Sequence, residues 1–222
     1  RASFSMRDIH ASQYSRICPV RSPEGPNIGL VTYLALYSQV NAYGFLEAPY
    51  FRVVPETKNG QIKMKITDEI IYLTADDEED HFITHADINR DGDYIADSWV
   101  PARYNGKFIE VDASKIEYID IIPRQVVGTS ASLIPFLQHD DGTRALMGSH
   151  MQCQAVPLVR PDAPIVGTGM EAEVAQSMGW VVRARFDGVV VDSDASHITI
   201  KVDNKSLKDL KATLIGGFCF SS

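Results

Sequence analysis

Residues 18–30 read CPVRSPEGPNIGL, and this stretch combines more stiffness and more glycine than an ordinary loop requires. Each of its prolines, Pro19, Pro23 and Pro26, fixes its own φ and pushes the preceding residue toward extended geometry. Its two glycines permit backbone conformations and close approaches that other residues do not tolerate. The stretch therefore predicts a rigid, irregular wall of the kind that lines a site.

A second informative stretch, QHDDGTRALMGSHMQCQAVP, occupies residues 138–157. Its HDD run is well placed to cap a short helix over about residues 143–154. At about 100° per residue, one third of that helix's circumference would carry Arg144, Met147, His150, Met151 and Gln154. From spacing alone, the favoured interpretation of Arg144 is an ion pair with Asp140 or Asp141.

Composition bounds the class of protein. The chain has 222 residues, 45% of them hydrophobic, which is enough for one large or two small domains. It contains no run of about 18 apolar residues that would predict a membrane span, and no signal segment that would argue for export. Cys18, Cys153 and Cys219 are far apart and form no CxxC pair, so we expect reduced thiols in a cytoplasmic protein.

The net charge of −8 is unexpected for a nucleic-acid-binding protein, which is usually basic. Residues 68–97, however, contain 11 acidic residues and one basic residue, a local charge of −10. The remaining residues carry 18 acidic and 20 basic side chains, a charge of +2. One acidic lobe should therefore face solvent, away from any phosphate backbone, and the chain alone should bind nucleic acid weakly.

Residues 1–47 predict a rigid loop followed by a helix. Asn27 would cap that helix, Gly44 would end it, and apolar residues follow at helical spacing between them. Residues 48–122 instead contain short β-branched or aromatic runs separated by Asn-Gly or Asp-Gly pairs at positions 59–60, 91–92 and 105–106. They predict a small antiparallel β module in which the acidic run at 76–80 is a solvated loop.

Residues 123–204 predict a mixed segment. It would hold the helix over 143–154, a second helix after a Thr168–Glu171 capping box, and a hairpin over 180–202. Residues 205–222 are predicted to be a divergent or truncated tail. The expected fold class is thus α+β and β-rich, with a small antiparallel β module inserted between mixed helix and strand segments of a larger subunit.

The two quoted stretches resemble the β subunit of bacterial multisubunit DNA-directed RNA polymerase. Members of that family carry CP-x-x-(T/S)-PEGPNIGL and HDD-x-x-RALMG-x-x-MQ-x-QAVP in the same order. Weaker similarity continues to about residue 203, so that the resemblance covers roughly nine-tenths of the chain. It implies an internal part of a much larger subunit, comprising the end of the fork region, an external β module and the start of the hybrid-binding region.

The resemblance implies roles for the helix at 143–154 and reverses the preference for an ion pair. Arg144 matches an arginine that approaches the triphosphate of the incoming nucleotide, where a planar cation with several donors suits phosphate. Gln154 matches a glutamine near the backbone of the RNA 3′ end. His150 stands where the family usually has asparagine and could still donate to a phosphate or ribose, with a pH-dependent contact.

The resemblance also implies roles for the first stretch. Arg1 and Arg7 match the end of the fork loop, where downstream DNA strands separate. Asn27 could cap a helix, contact a ligand, or do both. The Arg21-Ser22 pair replaces the commoner Glu-Thr, which reverses a charge and leaves rifamycin sensitivity open. The residues that match the wall of the rifamycin pocket are Pro23, Glu24, Asn27 and Val31.

For function, the resemblance implies transcription by a nucleotidyltransferase in which this chain has a positioning role and is inactive alone. No catalytic or metal-binding residue is expected within it, and magnesium would be held by aspartates of the β′ subunit. The implied partners are the β′ and α subunits, sigma factor, template DNA, nascent RNA, nucleoside triphosphates and rifamycin-type inhibitors. As polymerase, the protein would associate with the nucleoid.

Two other functions remain open from the residues alone. Residues 48–122 could form a stand-alone acidic β-rich interaction module that binds a basic protein. Residues 87–98 (DINRDGDYIADS) begin like a calcium loop, which would suit a calcium-dependent hydrolase. Ser98 stands where such a loop needs a bidentate glutamate, so a solvated hairpin turn is the better interpretation. His81 and His85 lie in a strand-like run, which disfavours a shared metal.

Overall fold

The computed structural model describes residues 3–58, 61–179 and 182–202. The chain divides into two compact units, Arg1–Ala172 and Glu173–Ser222, which are treated separately below. Arg1, the predicted turn at 59–60, Cys219 and the tail at 205–222 lie outside the described residues. Within the described ranges, no helix is both long and apolar enough to cross a bilayer.

The first unit is built on one sheet, to which the described residues contribute nine strands. The strands are β1 (Gln39–Val40), β2 (Leu46–Lys58), β3 (Gln61–Thr74), β4 (Ile83–Thr84), β5 (Arg90–Asp91), β6 (Tyr94–Ile95), β7 (Trp99–Tyr104), β8 (Lys107–Asp112) and β9 (Tyr118–Asp120). Their order across the sheet is β5-β6-β3-β2-β9-β4-β7-β8, and β1 pairs with β2. All of these pairs are antiparallel except β4 with β9.

Turn chemistry explains the hairpins. Asn105 and Gly106 connect β7 to β8 with φ values of +49° and +67°, the left-handed pair that a two-residue hairpin turn requires. Gly92, with φ +63°, lies in the connection between β5 and β6. The long β2–β3 hairpin shifts register once, between Phe51 and Val53. The predicted antiparallel hairpins at 91–92 and 105–106 are confirmed.

The sheet buries two apolar clusters, whose members come mainly from alternate positions of its strands. The larger cluster contains Val53, Met64, Ile95, Val100, Ala102, Val111, Ile116 and Ile119. The smaller one contains Ala48, Tyr50, Leu73 and Ile83. Both clusters of the sheet therefore lie within residues 48–119.

Four short helices among the described residues lie between or after the strands of this sheet along the chain. They are α1 (Ala75–Glu79), α2 (Thr129–Ser132), α3 (Gly142–Cys153) and α4 (Glu171–Ser177), with 3₁₀ turns at Phe4–Met6, Ala11–Gln13, Ala113–Lys115, Pro123–Val126 and Leu137–His139. The carboxylate of Asp141 accepts the Thr143 N–H at 3.1 Å and caps α3. The helix predicted over 143–154 is confirmed, as is the β-rich α+β class.

The helix after Thr168 begins later than its capping box predicts. The Thr168 N–H donates to the Glu171 carboxylate at 2.8 Å, which is half of the expected box. Gly169 has a φ of +80°, a left-handed conformation that a right-handed helix does not accommodate. The helix α4 therefore begins at Glu171.

In the second unit, β10 (Gly188–Ser193) and β11 (Ile198–Val202) form an antiparallel hairpin. The Asp194 carboxylate accepts the N–H groups of Ser196 and His197 at 2.7 and 2.9 Å, and thereby fixes the turn between the strands. This hairpin was predicted from the alternation of residues 180–202.

The helix predicted for about residues 27–44 is wrong. Cys18 donates its N–H to Tyr33 O at 2.8 Å and Ala35 donates to Arg16 O at 2.9 Å, so this part of the chain is extended and paired. Tyr37 has a left-handed φ of +63°, which no α-helix accommodates. Long-range pairing overrides the helical spacing of the apolar side chains here.

The solvated loop predicted at residues 76–80 is also wrong. Thr74 and Asp77 exchange the two hydrogen bonds of a capping box, and the segment folds as α1. The helix turns Glu78 inward, where its side chain is only 10% exposed, while Glu79 stays on the surface. An acidic run that looks uniformly solvated therefore contributes one carboxylate to the interior.

Candidate functional site

The rigid loop of residues 22–29 is held together by its own polar contacts and by one arginine from outside. The Gly29 N–H donates to Ser22 Oγ at 2.9 Å and closes the loop. The Arg7 guanidinium donates from Nη1 to two loop carbonyls, Pro26 O at 2.5 Å and Ile28 O at 3.0 Å. The loop is thus fixed at its middle and at its end.

Gly29 makes this arrangement possible. Its φ is +75°, and a Cβ atom at this position would lie 2.5 Å from Arg7 O. Any side chain there would both strain the backbone and displace the strand of chain that carries Arg7.

The side chains assigned to the pocket wall lie on this loop and its continuation. Glu24, Asn27 and Val31 are exposed, and Pro23 is half-buried. Asn27 begins a tight turn, in which its carbonyl accepts the Leu30 N–H at 3.1 Å, and does not begin an α-helix. Its capping role is excluded, which leaves its amide free for a ligand contact.

The helix α3 sorts its side chains as predicted from its spacing. Ala145 and Ser149 are buried, and the Gly148 position faces Ile134, whose Cδ1 would lie 3.6 Å from a Cβ there. The opposite face is exposed and carries Arg144, Met147, His150 and Met151, followed by Gln154 at the C-cap. Small residues therefore anchor the helix and leave accessible a polar stripe of Arg144, His150 and Gln154, which two methionines interrupt.

The ion pair between Arg144 and Asp140 or Asp141 does not form in the described part of the chain. Asp141 is already engaged as the cap of α3. The Arg144 guanidinium, exposed on the first turn, is therefore available to an external anion.

The loop and α3 meet at the C-terminal end of the helix. Arg21 Nη2 donates to Cys153 Sγ at 3.1 Å, and the same guanidinium lies 3.8 Å from the centre of the Tyr33 ring. Nearby, a Cβ at Gly128 would lie 2.9 Å from Leu34 O. Two stretches more than 100 residues apart in sequence are therefore packed against each other.

This contact brings some predicted site residues together and leaves others apart. Gln154 directly follows Cys153, the residue that Arg21 contacts. Arg144 lies nine residues before Cys153 on α3, about 14 Å from it along the helix axis at 1.5 Å per residue. Two cavities in the described part of the chain are lined by other residues, so Arg144 and Asn27 share neither of them.

A buried ionic cluster, which the sequence did not reveal, connects the chain before the loop to the sheet. Glu78 binds Arg16 at 2.7 Å and Arg103 at 3.3 Å, and it accepts the Tyr50 hydroxyl. The Arg16 guanidinium, only 3% exposed, also donates to Leu73 O at 2.7 Å. These partners are separated by up to 62 residues in sequence, so no local pattern could have identified them.

The cluster continues through Arg103 to Asp120. Arg103 Nη2 lies 3.2 Å from Asp120 Oδ1, and the Tyr14 hydroxyl donates to Asp120 Oδ2 at 2.9 Å. Burial, with the adjacent carboxylates, raises the pKa values of Tyr14 and Tyr50 well above the ordinary 10.0. Arg103 Nε is buried without a hydrogen-bond partner among the described residues, beside a cavity of about 280 Å³.

Metal binding has little support among the residues that the structure describes. They include no group of three or more His, Cys, Asp or Glu side chains placed to hold an ion. His81 Nδ1 lies 2.6 Å from Glu117 Oε2, whereas His85 stacks on Phe108. Residues 87–98 contain the β5–β6 hairpin, in line with a solvated turn.

Comparison with known proteins accounts for both informative stretches. A family model described as the RNA polymerase beta subunit external 1 domain matches residues 50–121, and one described as RNA polymerase Rpb2, domain 3, matches residues 1–40. A protein of Acetivibrio thermocellus named DNA-directed RNA polymerase subunit beta is 47% identical over 203 residues. The chain belongs to the RNA polymerase β-subunit family.

Further members of the RNA polymerase β-subunit family are equally similar. Proteins of the same name from Methylacidiphilum infernorum and Citrifermentans bemidjiense are both 49% identical, over 202 and 205 residues. These alignments cover 90–91% of the chain and only 14–16% of each relative. The chain thus spans about one-sixth of the length of the curated relatives that it matches.

The two regions that the RNA polymerase family models match contain the rigid loop and the ionic cluster, whereas α3 lies outside both. The domain 3 match, residues 1–40, contains the rigid loop and the Arg7 contacts. The external 1 match, residues 50–121, contains most of the sheet and, from the ionic cluster, Tyr50, Glu78, Arg103 and Asp120. The cluster therefore joins two separately recognised regions through Tyr14 and Arg16.

Proposed function

We propose that this chain acts within the β subunit of a DNA-directed RNA polymerase, where it helps to position the incoming nucleoside triphosphate and the RNA–DNA hybrid during RNA synthesis. The observation that carries this proposal is the meeting of the loop with α3 through Arg21 and Cys153. It joins an exposed polar stripe to a rigid wall, which suits the binding of an extended, charged polymer end.

Arg144 has the central role in this proposal. Its guanidinium is exposed and has no ion-pair partner among the described residues, so it can donate two parallel hydrogen bonds to a triphosphate. Such a contact neutralises charge and orients the nucleotide, and thereby assists a reaction whose chemistry is performed elsewhere.

The C-terminal half of α3 would serve the RNA. Gln154 and Asn27 each offer an amide that can bind backbone phosphate or ribose, and both lie on exposed surface. His150 can donate to the same groups, most strongly when protonated. The exposed loop residues Glu24 and Val31, with Pro23, would form the wall where rifamycin-type inhibitors bind.

In this proposal magnesium would be held by aspartates of the β′ subunit, as the resemblance implies. The whole enzyme would contain α and β′ subunits and recruit a sigma factor, and it would use template DNA and nucleoside triphosphates as a nucleotidyltransferase. The three regions at 1–47, 48–122 and 123–204 are proposed as the fork-region end, the external module and the start of the hybrid-binding region.

The direct test is Arg144→Ala in a full-length β subunit that carries this chain, assembled with α and β′. Loss of a charged hydrogen bond to phosphate should raise the apparent KM for nucleoside triphosphates about 10- to 100-fold. Arg52→Ala is the control, because Arg52 is also an exposed arginine and lies on strand β2, where it pairs with Glu69 at 3.7 Å. An unchanged KM in the Arg144 variant would contradict the assignment.

A further inference from the structure

We infer that Arg7 is a positioning residue, which sets the shape of the rigid loop at residues 22–29 through its carbonyl groups and not by direct contact with nucleic acid. The Arg7 side chain is half-buried, and its Nη1 lies 2.5 Å from Pro26 O and 3.0 Å from Ile28 O. A single nitrogen thus ties together two carbonyls that flank Asn27.

The backbone of the loop is built for this contact. Gly29 adopts a φ of +75°, and the absence of a Cβ leaves room for the backbone of Arg7. A Cβ at this position would lie only 2.5 Å from Arg7 O. On the other side, the Gly29 N–H donates to Ser22 Oγ. Gly29 is therefore held between Ser22 and Arg7, and the loop's conformation depends on both.

Charge explains why an arginine suits this position. The carbonyls of Pro26 and Ile28 point their partial negative charges at one guanidinium group, which does not lose its proton under physiological conditions. The cation therefore holds two dipoles that would otherwise turn toward solvent. Lysine would keep the charge but lose the planar geometry, so it should restore the contact only in part.

The consequence for transcription rests on the proposed function. If Asn27 and Glu24 contact the RNA or an inhibitor, then the orientation of both side chains depends on the clamp between Arg7 and the carbonyls on either side of Asn27. The resemblance implies a contact of Arg7 with DNA strands at the fork. The clamp instead assigns its guanidinium to the protein itself.

The first experiment measures the loop itself and needs no assumption about function. Hydrogen–deuterium exchange in the assembled polymerase should show the amides of Ile28, Gly29 and Leu30 exchanging about 10-fold faster in Arg7→Ala, with intermediate rates in Arg7→Lys. Arg52→Ala should leave these rates unchanged. Unchanged exchange in Arg7→Ala would overturn the inference, whatever the enzyme's activity.

The second experiment separates positioning from general damage. Arg7→Ala and Ser22→Ala should each weaken binding of a rifamycin-type inhibitor by about 10-fold, and the double variant should lose little more, because both changes release the same loop. Arg52→Ala, on strand β2, should leave inhibitor binding unchanged. Fully additive losses would contradict the clamp. A wild-type enzyme that does not bind the inhibitor would contradict the assigned wall and leave the exchange result standing.

Discussion

Glu78 shows how a single residue can change the meaning of a sequence pattern. It belongs to a run of five acidic residues, yet it is buried between Arg16 and Arg103 at 2.7 and 3.3 Å. Removing one partner from a buried ion pair leaves an uncompensated charge in the interior, which is far more costly than losing an exposed pair.

We therefore expect Glu78→Ala to lower the free energy of unfolding by about 3–5 kcal/mol. Glu79→Ala, a matched change at the adjacent exposed position, should alter it by less than about 0.5 kcal/mol. Equilibrium urea unfolding of the chain measures both. Similar values for the two variants would show that the Glu78 contacts contribute little.

Tyr14 and Tyr50 predict how stability responds to alkaline pH. Burial raises the pKa of each hydroxyl above its ordinary value of 10.0, so the folded chain keeps both protons where an unfolded chain has lost them. Stability should be unaffected by these groups below pH 10. Above it, stability should fall by about 1.4 kcal/mol per pH unit for each tyrosine.

This prediction is checked by urea unfolding between pH 9 and 11.5. The variants Tyr14→Phe and Tyr50→Phe should each reduce the alkaline slope, although both lose a hydrogen bond to a buried carboxylate and start from lower stability at pH 8. A wild-type slope that both substitutions leave intact would mean that other groups cause it.

At the scale of elements, the sequence predicted the turns and helix caps that depend on neighbouring residues. The left-handed Asn105-Gly106 turn and the Asp141 cap of α3 both act within a few residues, and both were foreseen. The helix expected over residues 27–44 failed because its apolar spacing competes with hydrogen bonds to partners such as Arg16, 19 residues earlier than Ala35. Apolar spacing within a segment does not show which distant residue its backbone will pair with.

Two glycines provide a matched test of this distinction. Gly106→Ala should destabilise the chain by about 1–2 kcal/mol, because its φ of +67° strains any L-residue. Gly142→Ala, at the first position of α3 with open space around it, should be neutral or stabilising by up to about 1 kcal/mol. Thermal unfolding of both variants checks the two signs, and equal effects would refute the turn assignment.

At the scale of the whole molecule, charge is distributed unevenly. Residues 68–97 carry −10, whereas the rest of the chain carries +2. The uneven distribution was visible in the sequence, and so was the polar stripe of α3. The ionic cluster was not, because its members come from segments that only the tertiary fold brings together.

This distribution predicts that the chain by itself binds nucleic acid poorly. Fluorescence anisotropy with a short RNA–DNA hybrid at 150 mM salt should give a dissociation constant weaker than about 10⁻⁴ M, because few phosphates meet unopposed cations. Lowering the salt to 20 mM should change the binding little. Micromolar, steeply salt-dependent binding would show instead that the chain carries a basic surface sufficient on its own.

The resemblance of the two stretches identified the family, whereas only the folded structure showed which residues contact each other. The contact between Arg21 and Cys153 uses a residue that departs from the usual family pattern at position 21. The sequence showed only that Arg21 reverses the charge usual at this position in the family. Its aromatic partner, Tyr33, emerged from the folded chain.

Gly128 has a consequence beyond its own position. A methyl group there would lie 2.9 Å from Leu34 O and 3.1 Å from Cys18 Cβ, where the residue before α2 meets the chain on either side of the rigid loop. The distance between residue 128 and the chain on either side of the rigid loop therefore depends on the absence of a side chain at Gly128. Alanine at this position would push these segments apart by a few tenths of an ångström. The side chains that follow on each segment would shift with them.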